Sequence, residues 1–368
     1  MRMLRTGPTR RGGSLASSPA REPASSDAPR RRRRLSPPTL RRWLEDKREP
    51  AYRFAQIASW LYARGAQSFE AMSNLPRSLR AALAEDFTQP ALTAERVDRS
   101  SDGTRKLLFR LEDGRVVESV LIPDPPRLTL CISSQAGCAM GCGFCATARL
   151  GLLRHLTPDE IVGQVLGAQE HYVPEEHLTN IVFMGMGEPL HNYDAVVDAV
   201  GVLTAPWGCG ISPRRITVST VGLVPQMQRL MTETNVNLAV SLTAPTDEQR
   251  APLVPINRKY PVATLIGACR ELPIPHRRRV TFEYVLLAGV NDSLVDANRL
   301  VHLLRGIRCK VNLIPFNPFP DSGFERPADE VVEAFRRYLD AAHVHATVRQ
   351  SRGRDVAAAC GQLAGTSA

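Results

Sequence analysis

The sequence predicts an α/β chain whose main unit is a partial (β/α) barrel, preceded by a small helical unit and a β-hairpin. Three observations carry this expectation. From about residue 129 to residue 350, short apolar runs alternate with amphipathic ones, as parallel strands joined by crossover helices do. Thr157-Pro-Asp-Glu160 places a capping residue, a proline and an acid in the order that opens a helix. Glu112-Asp113-Gly114 is a turn between two strand-like runs.

Taken in order, residues 1–35 hold ten arginines against Glu22 and Asp27, so they carry +8 of the formal +10. Their Pro, Ser, Gly and Arg content predicts a disordered tail. The run Arg30–Arg34 suits phosphate contact and a solvated arm equally. The tail also resembles an organelle transit peptide in being rich in Arg and Ser, although its prolines and two acids do not fit one. Residues 36–95 read as a helical accessory unit. Ser36-Pro-Pro-Thr39 opens a segment with Leu40, Trp43 and Leu44; Tyr52 to Leu61 repeats apolar residues at helical spacing; a third run spans Leu79 to Phe87. Its default meaning is packing, and its basic residues make RNA contact a second reading. Residues 96–128 read as the hairpin extension, with strands Ser101–Leu111 and Arg115–Ile122.

The core is expected over 129–368. Its strands are Thr129–Ile132, Asn180–Met184, Arg215–Ser219, Asn237–Ser241, Thr281–Leu287, Lys310–Pro315 and Ala346–Arg349, with helices starting near Thr157, Asn192, Val224, Pro261, Leu294 and Ala328. In such sheets ligands bind at the C-terminal ends of the strands.

The 368 residues are 43% hydrophobic and 23% charged, an ordinary globular composition. No apolar run approaches the roughly 18 residues of a membrane span, and no hydrophobic signal core stands near the start. Half of the eight cysteines fall in one segment and the rest are scattered. That pattern argues against a secreted disulfide framework and for a metal site in a reducing, cytoplasmic setting.

Cys138-Ala-Met-Gly-Cys142-Gly-Phe-Cys145 is the sharpest motif. Three thiolates in one tight loop can hold three irons of a 4Fe–4S cubane and leave the fourth open to a substrate. A zinc knuckle with Cys131 as fourth ligand is the competing reading, but structural zinc sites usually pair two separated C-x2-4-C units. Met184-Gly-Met-Gly187-Glu188-Pro189 follows a strand, where glycines let the backbone approach a ligand. Cys360, in Arg352-Gly-Arg-Asp355-Val-Ala-Ala-Ala-Cys360-Gly-Gln-Leu363, would by itself be an inert core thiol.

The C-x3-C-x2-C loop and the Gly187-Glu188-Pro189 turn resemble the radical S-adenosylmethionine (SAM) superfamily. With Cys131-Ile-Ser-Ser-Gln135, Ser101-Asp-Gly-Thr104, Ser219-Thr220, Ala244-Pro245, Val254-Pro-Ile-Asn257, Glu283-Tyr284, Asn312 to Pro318 and the Cys360 run, the chain resembles the bacterial RNA adenine-C2 methyltransferases of the RlmN family over roughly residues 40–365. The resemblance implies a cluster on Cys138, Cys142 and Cys145, with SAM on its open iron. It implies SAM contacts at Gly187, Glu188, Ser219, Ser241, Leu242, Thr243 and Asn317. Thr243 replaces the family's frequent His, so only a backbone contact would survive there.

It further implies that Cys360 accepts a methyl group, that a radical from a second SAM activates it for addition to C2 of adenine, and that a protein–RNA adduct follows. Glu118 matches the base that removes the C2 proton; its plain alternative is a solvent-facing carboxylate on a strand. Cys131 matches the cysteine that frees the product by a transient disulfide with Cys360. Cys209, Cys269 and Cys309 match no functional position and read as packing. The implied partners are 23S rRNA, tRNA and an electron donor such as flavodoxin, with no membrane. Related C8 methylation, as in the Cfr type, and a non-catalytic iron–sulfur or zinc RNA-binding protein are the alternatives.

Overall fold

The computed structural model describes residues 32–365. One ten-stranded sheet organises it, in the order Ala346–Val348, Cys309–Pro315, Val280–Leu286, Asn237–Ser241, Ile216–Thr220, Asn180–Phe183, Arg127–Cys131, Val116–Asp124, Arg105–Arg110, Ala94–Arg99. The first seven strands of that order run parallel and the last three are antiparallel. The predicted core strands agree with this to within two residues at either end.

The sheet curls. Arg349 follows the outermost parallel strand and Met184 follows Asn180–Phe183, five strand steps away. On a flat sheet five steps span about 24 Å, yet the Arg349 Nη1 lies 3.3 Å from the Met184 sulfur. The strand tips therefore close around a common axis, which is the expected partial barrel. Its interior is a polar lumen of about 450 Å³ lined by residues such as Thr129, Thr217, Thr281, Lys310 and Asn312.

Helices cover the outer face. Pro158–Ala168 starts where Thr157 predicts, with a reciprocal capping box between Thr157 and Glu160. Tyr193–Thr204, Val224–Glu233, Val262–Glu271, Leu294–Leu304 and Asp329–Ala341 complete the expected set. Asp247–Leu253, the short helix Ala146–Arg149 and the small antiparallel pair Gln135–Gly137 with Leu152–His155 were not anticipated. Each is too short for periodicity to reveal it.

Three boundaries differ from the sequence reading. Arg33–Arg34 pairs in parallel with Phe87–Thr88 and Leu35 is fully buried, so the fold begins inside the segment assigned to the tail. The rest of that tail lies outside the described residues. Arg105–Arg110 starts four residues later than expected, because Asp102 accepts from the Thr104 amide and Ser101–Thr104 turns. The hairpin is no separate appendage: Val116–Asp124 pairs with Arg127–Cys131 and extends the barrel sheet, and the added strand Ala94–Arg99 crosses the boundary set at 95/96. In the helical unit, Pro37–Asp46 carries the Ser36 capping box, Tyr52–Ala58 passes into a wider turn at Ser59–Ala63, and Arg77–Asp86 stops before Phe87.

Candidate active site

The three motif cysteines lie in a loop between the tip of the strand Arg127–Cys131 and the helix Ala146–Arg149. The loop is tied at both ends: Cys138 donates to the Gly151 carbonyl at 2.8 Å, and Cys145 donates to Cys142 at 3.2 Å. Gly137 has φ +73°, and a Cβ there would lie 1.9 Å from the Gly151 oxygen, so only glycine permits that closure. Cys138 and Cys142 are buried and Cys145 is half-buried. Burial pushes the Cys138 thiol up to about 12 and raises those of Cys142 and Cys145. Thiols this reluctant to ionise in apolar surroundings suit deprotonation by a bound metal.

The cysteines open onto a largely apolar cavity at the strand tips. Gly187, Glu188, Ser219, Ser241, Asn317 and Cys360 also line it. Leu242 and Thr243 do not; both are fully buried behind Ser241, with Thr243 in a left-handed conformation at φ 62°. Gly187 has φ +104°, and a Cβ there would stand 2.6 Å from the Gln135 Cβ. Two buried oxygens on the cavity wall, Glu283 Oε2 and Asn317 Oδ1, have no protein partner. Such orphaned acceptors need a ligand, and a molecule carrying hydroxyl and ammonium donors meets that need. The donor set therefore fits a 4Fe–4S cluster with SAM beside it.

Glu188 acts chiefly as a tie. Its Oε1 accepts from the Leu190 amide and its Oε2 from the Val221 amide, joining the ends of two strands. Burial raises its carboxyl to about 7 despite those donors. Its own amide donates to Gln135 Oε1 at 2.8 Å, fixing the turn against the segment before the cluster loop.

Sequence reasoning missed Arg250. It is fully buried and donates to the carbonyls of Leu242, Val221 and Ser241 and to Asn257 Oδ1, locking two strand tips in place. The only signal was an arginine shortly before Val254-Pro-Ile-Asn257, which gives no hint of burial. Arg349 on the cavity wall was likewise not singled out, and Glu283 was noted only within the Glu283-Tyr284 string, with no role.

The segment carrying Cys360 is mostly irregular. Asn317 Nδ2 donates to the Cys360 carbonyl, Ala146 donates to Gly361, and Thr147 Oγ1 donates to Leu363. These bonds set Cys360 against the cluster loop, close enough that a Cys360 thiolate would raise the Cys145 thiol. Cys131, 5% exposed, is near enough to Cys360 that a Cys360 thiolate would raise its thiol further. All eight cysteines are free; Cys269 is in the core, and Cys209 and Cys309 pack against it.

Glu118 is 2% exposed, which removes the solvent-facing alternative. Its Oε1 lies 3.3 Å from the Lys106 ammonium, and its Oε2 accepts from the amides of Ala364 and Gly365. The carboxylate is thereby bound to the segment that bears Cys360. Among the described residues, no helix is long and apolar enough to cross a membrane.

Comparison with known proteins agrees with this geometry. A model of the radical SAM superfamily matches residues 132–301, and one of the ribosomal RNA large subunit methyltransferase N-terminal domain matches residues 34–88. The dual-specificity RNA methyltransferase RlmN of Geobacter sulfurreducens is 54% identical over 331 residues, covering 90% of this chain and 91% of the relative. That of Desulfosudis oleivorans is 51% identical, covering 88% and 87%. The crystal structure of a radical SAM methyltransferase from Sphaerobacter thermophilus superposes with a TM-score of 0.86 at 49% identity, over 90% of this chain and 98% of that one. A chain with this loop, this barrel and relatives of this similarity along nine-tenths of its length belongs to the RlmN family of radical SAM RNA methyltransferases.

Proposed function

We propose that this enzyme methylates C2 of adenine, at position 2503 of 23S rRNA and at position 37 of tRNA, through S-methylation of Cys360 and a transient protein–RNA adduct. C2 lies between two ring nitrogens and is electron-poor, so it does not attack a methyl cation equivalent and needs a radical route. When bound on Cys138, Cys142 and Cys145, the 4Fe–4S cluster with SAM supplies a methyl group and a carbon radical that removes a hydrogen atom. Ser219, Ser241, Asn317 and the Gly187-Glu188 backbone would hold SAM.

The protein's own groups then divide the work. Cys360 carries the one-carbon unit to C2. Glu118 takes the C2 proton of the adduct, whose unpaired electron would return to the oxidised cluster. The Cys131 thiolate attacks the Cys360 sulfur: an S–S bond forms, the S–CH2 bond breaks, and its electron pair stays on the methylene carbon, which takes a proton to become methyl. An external dithiol reduces the disulfide. In this reading a cytoplasmic reductant such as flavodoxin supplies the electron for the cluster.

The observation that carries the proposal is that Cys360 lines the same cavity as Cys138, Cys142 and Cys145 and lies within charge–charge reach of Cys131. A methyl carrier must face the source of the radical, and its sulfur must meet a second thiol. The direct test is mass analysis of nucleosides from RNA treated with the reconstituted enzyme. 2-Methyladenosine supports the proposal; 8-methyladenosine would assign the chain to the C8 chemistry, and unmodified RNA would leave it without a methylation role.

A further inference from the structure

A second, smaller space adjoins Cys360. Gln350, Ser351 and Arg352, from the turn after the last strand, line a recess of about 70 Å³ together with Cys360 itself. Ile122, Ile314 and Ala358 give it apolar walls. The recess shares Ile314, Asn317 and Cys360 with the cluster cavity, and it shares Ile122, Gln350 and Arg352 with the polar lumen. Cys360 therefore stands at the junction between the space next to the cluster and a space that continues into the lumen. The turn is fixed on both sides of Ser351: the Arg349 amide donates to the Leu313 carbonyl at 2.8 Å, and the Gly353 amide donates to Asp102 Oδ2 at 3.0 Å. Ser351 Oγ is buried and has no hydrogen-bond partner among the described residues. Ser351 is not among the residues lining the cluster cavity, so the SAM contacts do not account for it.

We infer that this recess receives the edge of the target adenine and that Ser351 is a specificity-determining residue, its hydroxyl donating to one of the two ring nitrogens that flank C2. The inference rests on the proposed addition of Cys360 to C2. A base taken out of its stack is held by hydrogen bonds to its edge and by apolar contacts on its faces. An adenine with C2 at the Cys360 sulfur brings N1 and N3, both acceptors, to the same place. Those two nitrogens need a donor close to Cys360, and a buried hydroxyl without a partner needs an acceptor. Each supplies what the other lacks. The aliphatic side chains of Ile122 and Ile314 suit the faces of the ring, and the Arg352 guanidinium, shared with the lumen, suits an anionic sugar–phosphate backbone. The anchors on either side of Ser351 hold the donor in place before the base arrives, which is what selection by a single hydrogen bond requires.

The test compares kcat/KM for methylation by anaerobic, cluster-loaded enzyme on three tRNAs, which carry adenine, 1-deazaadenine or 3-deazaadenine at the target position. One of the two deaza bases lacks the acceptor that Ser351 binds. Any effect of the missing nitrogen on the reactivity of C2 is common to parent and variant and cancels in their ratio. On the adenine tRNA, Ser351→Ala should lower kcat/KM by about 10- to 100-fold. On one deaza tRNA the ratio of parent to variant should fall to about one, and on the other it should stay as it is with adenine. Ser351→Thr keeps the hydroxyl and should recover most of the rate. Iron content and SAM cleavage without RNA should match the parent in both variants, because they report on the cluster cavity. Ser351→Ala matching the parent on the adenine tRNA would overturn the inference. So would an equal ratio on all three tRNAs, or loss of iron in both variants, since either makes Ser351 a structural residue only. A parent enzyme that forms no 2-methyladenosine would refute the proposed function; a parent that forms it beside a Ser351→Ala with unchanged selectivity refutes the inference alone.

Discussion

The loop Cys138–Cys145 is closed largely by its neighbours in the chain, Gly151 on Cys138 and Cys142 on Cys145. The segment 353–365 is held mostly by residues 215 to 255 positions away, with Asn317 and Pro318 nearer in the chain. Asp102 accepts from the Gly353 amide, Asp355 accepts from Ser100 and Ser101, Glu118 accepts from Ala364 and Gly365, and Thr147 donates to Leu363. One region has its ligands written into a spacing of a few residues. The other has almost no regular structure and becomes a site only when the barrel brings its anchors together. Local closure suits a metal, which needs its ligands in fixed relation. Anchoring from a distance suits a carrier cysteine, which must meet a cluster, a base and a second thiol.

Damage to the first region should be total. Cys142→Ala should yield a folded but colourless protein in place of one with about four irons per chain, with no cleavage of SAM. Retained iron and full SAM cleavage would break the assignment of the loop.

Damage to the second should be graded. Thr147→Val removes the donor to a buried carbonyl, a loss of about 1–3 kcal/mol. Residues 361–365 should exchange amide hydrogens faster while iron content stays normal. Loss of the cluster together with the faster exchange would show that the two regions are one unit.

The mildest test uses acid. The Asp102 carboxyl is held down to about 2, against the pull of its own desolvation, by bonds from Thr104, Gly353 and Ser100. Its folded value lies below its unfolded value, so its contribution is present above pH ~4 and is lost as pH falls toward ~2. Asp355 is lowered in the same sense by Ser100 and Ser101. Limited pepsin digestion should cut the C-terminal segment increasingly over that window. Asp102→Asn should already show an exposed segment to trypsin at neutral pH. An acid-insensitive segment would remove these carboxylates from the account.

The same contrast explains what the sequence could show. The barrel strands and the Thr157 and Ser36 caps were legible because periodicity and capping chemistry act over a few residues. The cluster cysteines were legible for the same reason. The cysteine at 360 and Glu118 were found by family resemblance, since nothing in their own surroundings distinguishes them from a core thiol and a strand carboxylate. Arg250 and Arg349 were not legible at all. A charged residue reads as a surface residue until tertiary structure buries it among carbonyls, as at Arg250, or half-buries it beside a sulfur, as at Arg349. The placement of Leu242 and Thr243 behind the cavity wall depends on a left-handed turn at Thr243, a residue type that does not announce one.

The central claim, that Cys360 carries the methyl unit and Cys131 releases the product, meets its most direct test in denaturing gels of protein mixed with RNA and SAM under reducing, anaerobic conditions. Cys131→Ala should form a protein–RNA band that survives denaturation, because it can load C2 but cannot let go. Cys360→Ala should form none, because it has no methyl acceptor. Equal trapping by the two variants, or normal turnover by Cys131→Ala, would contradict the account.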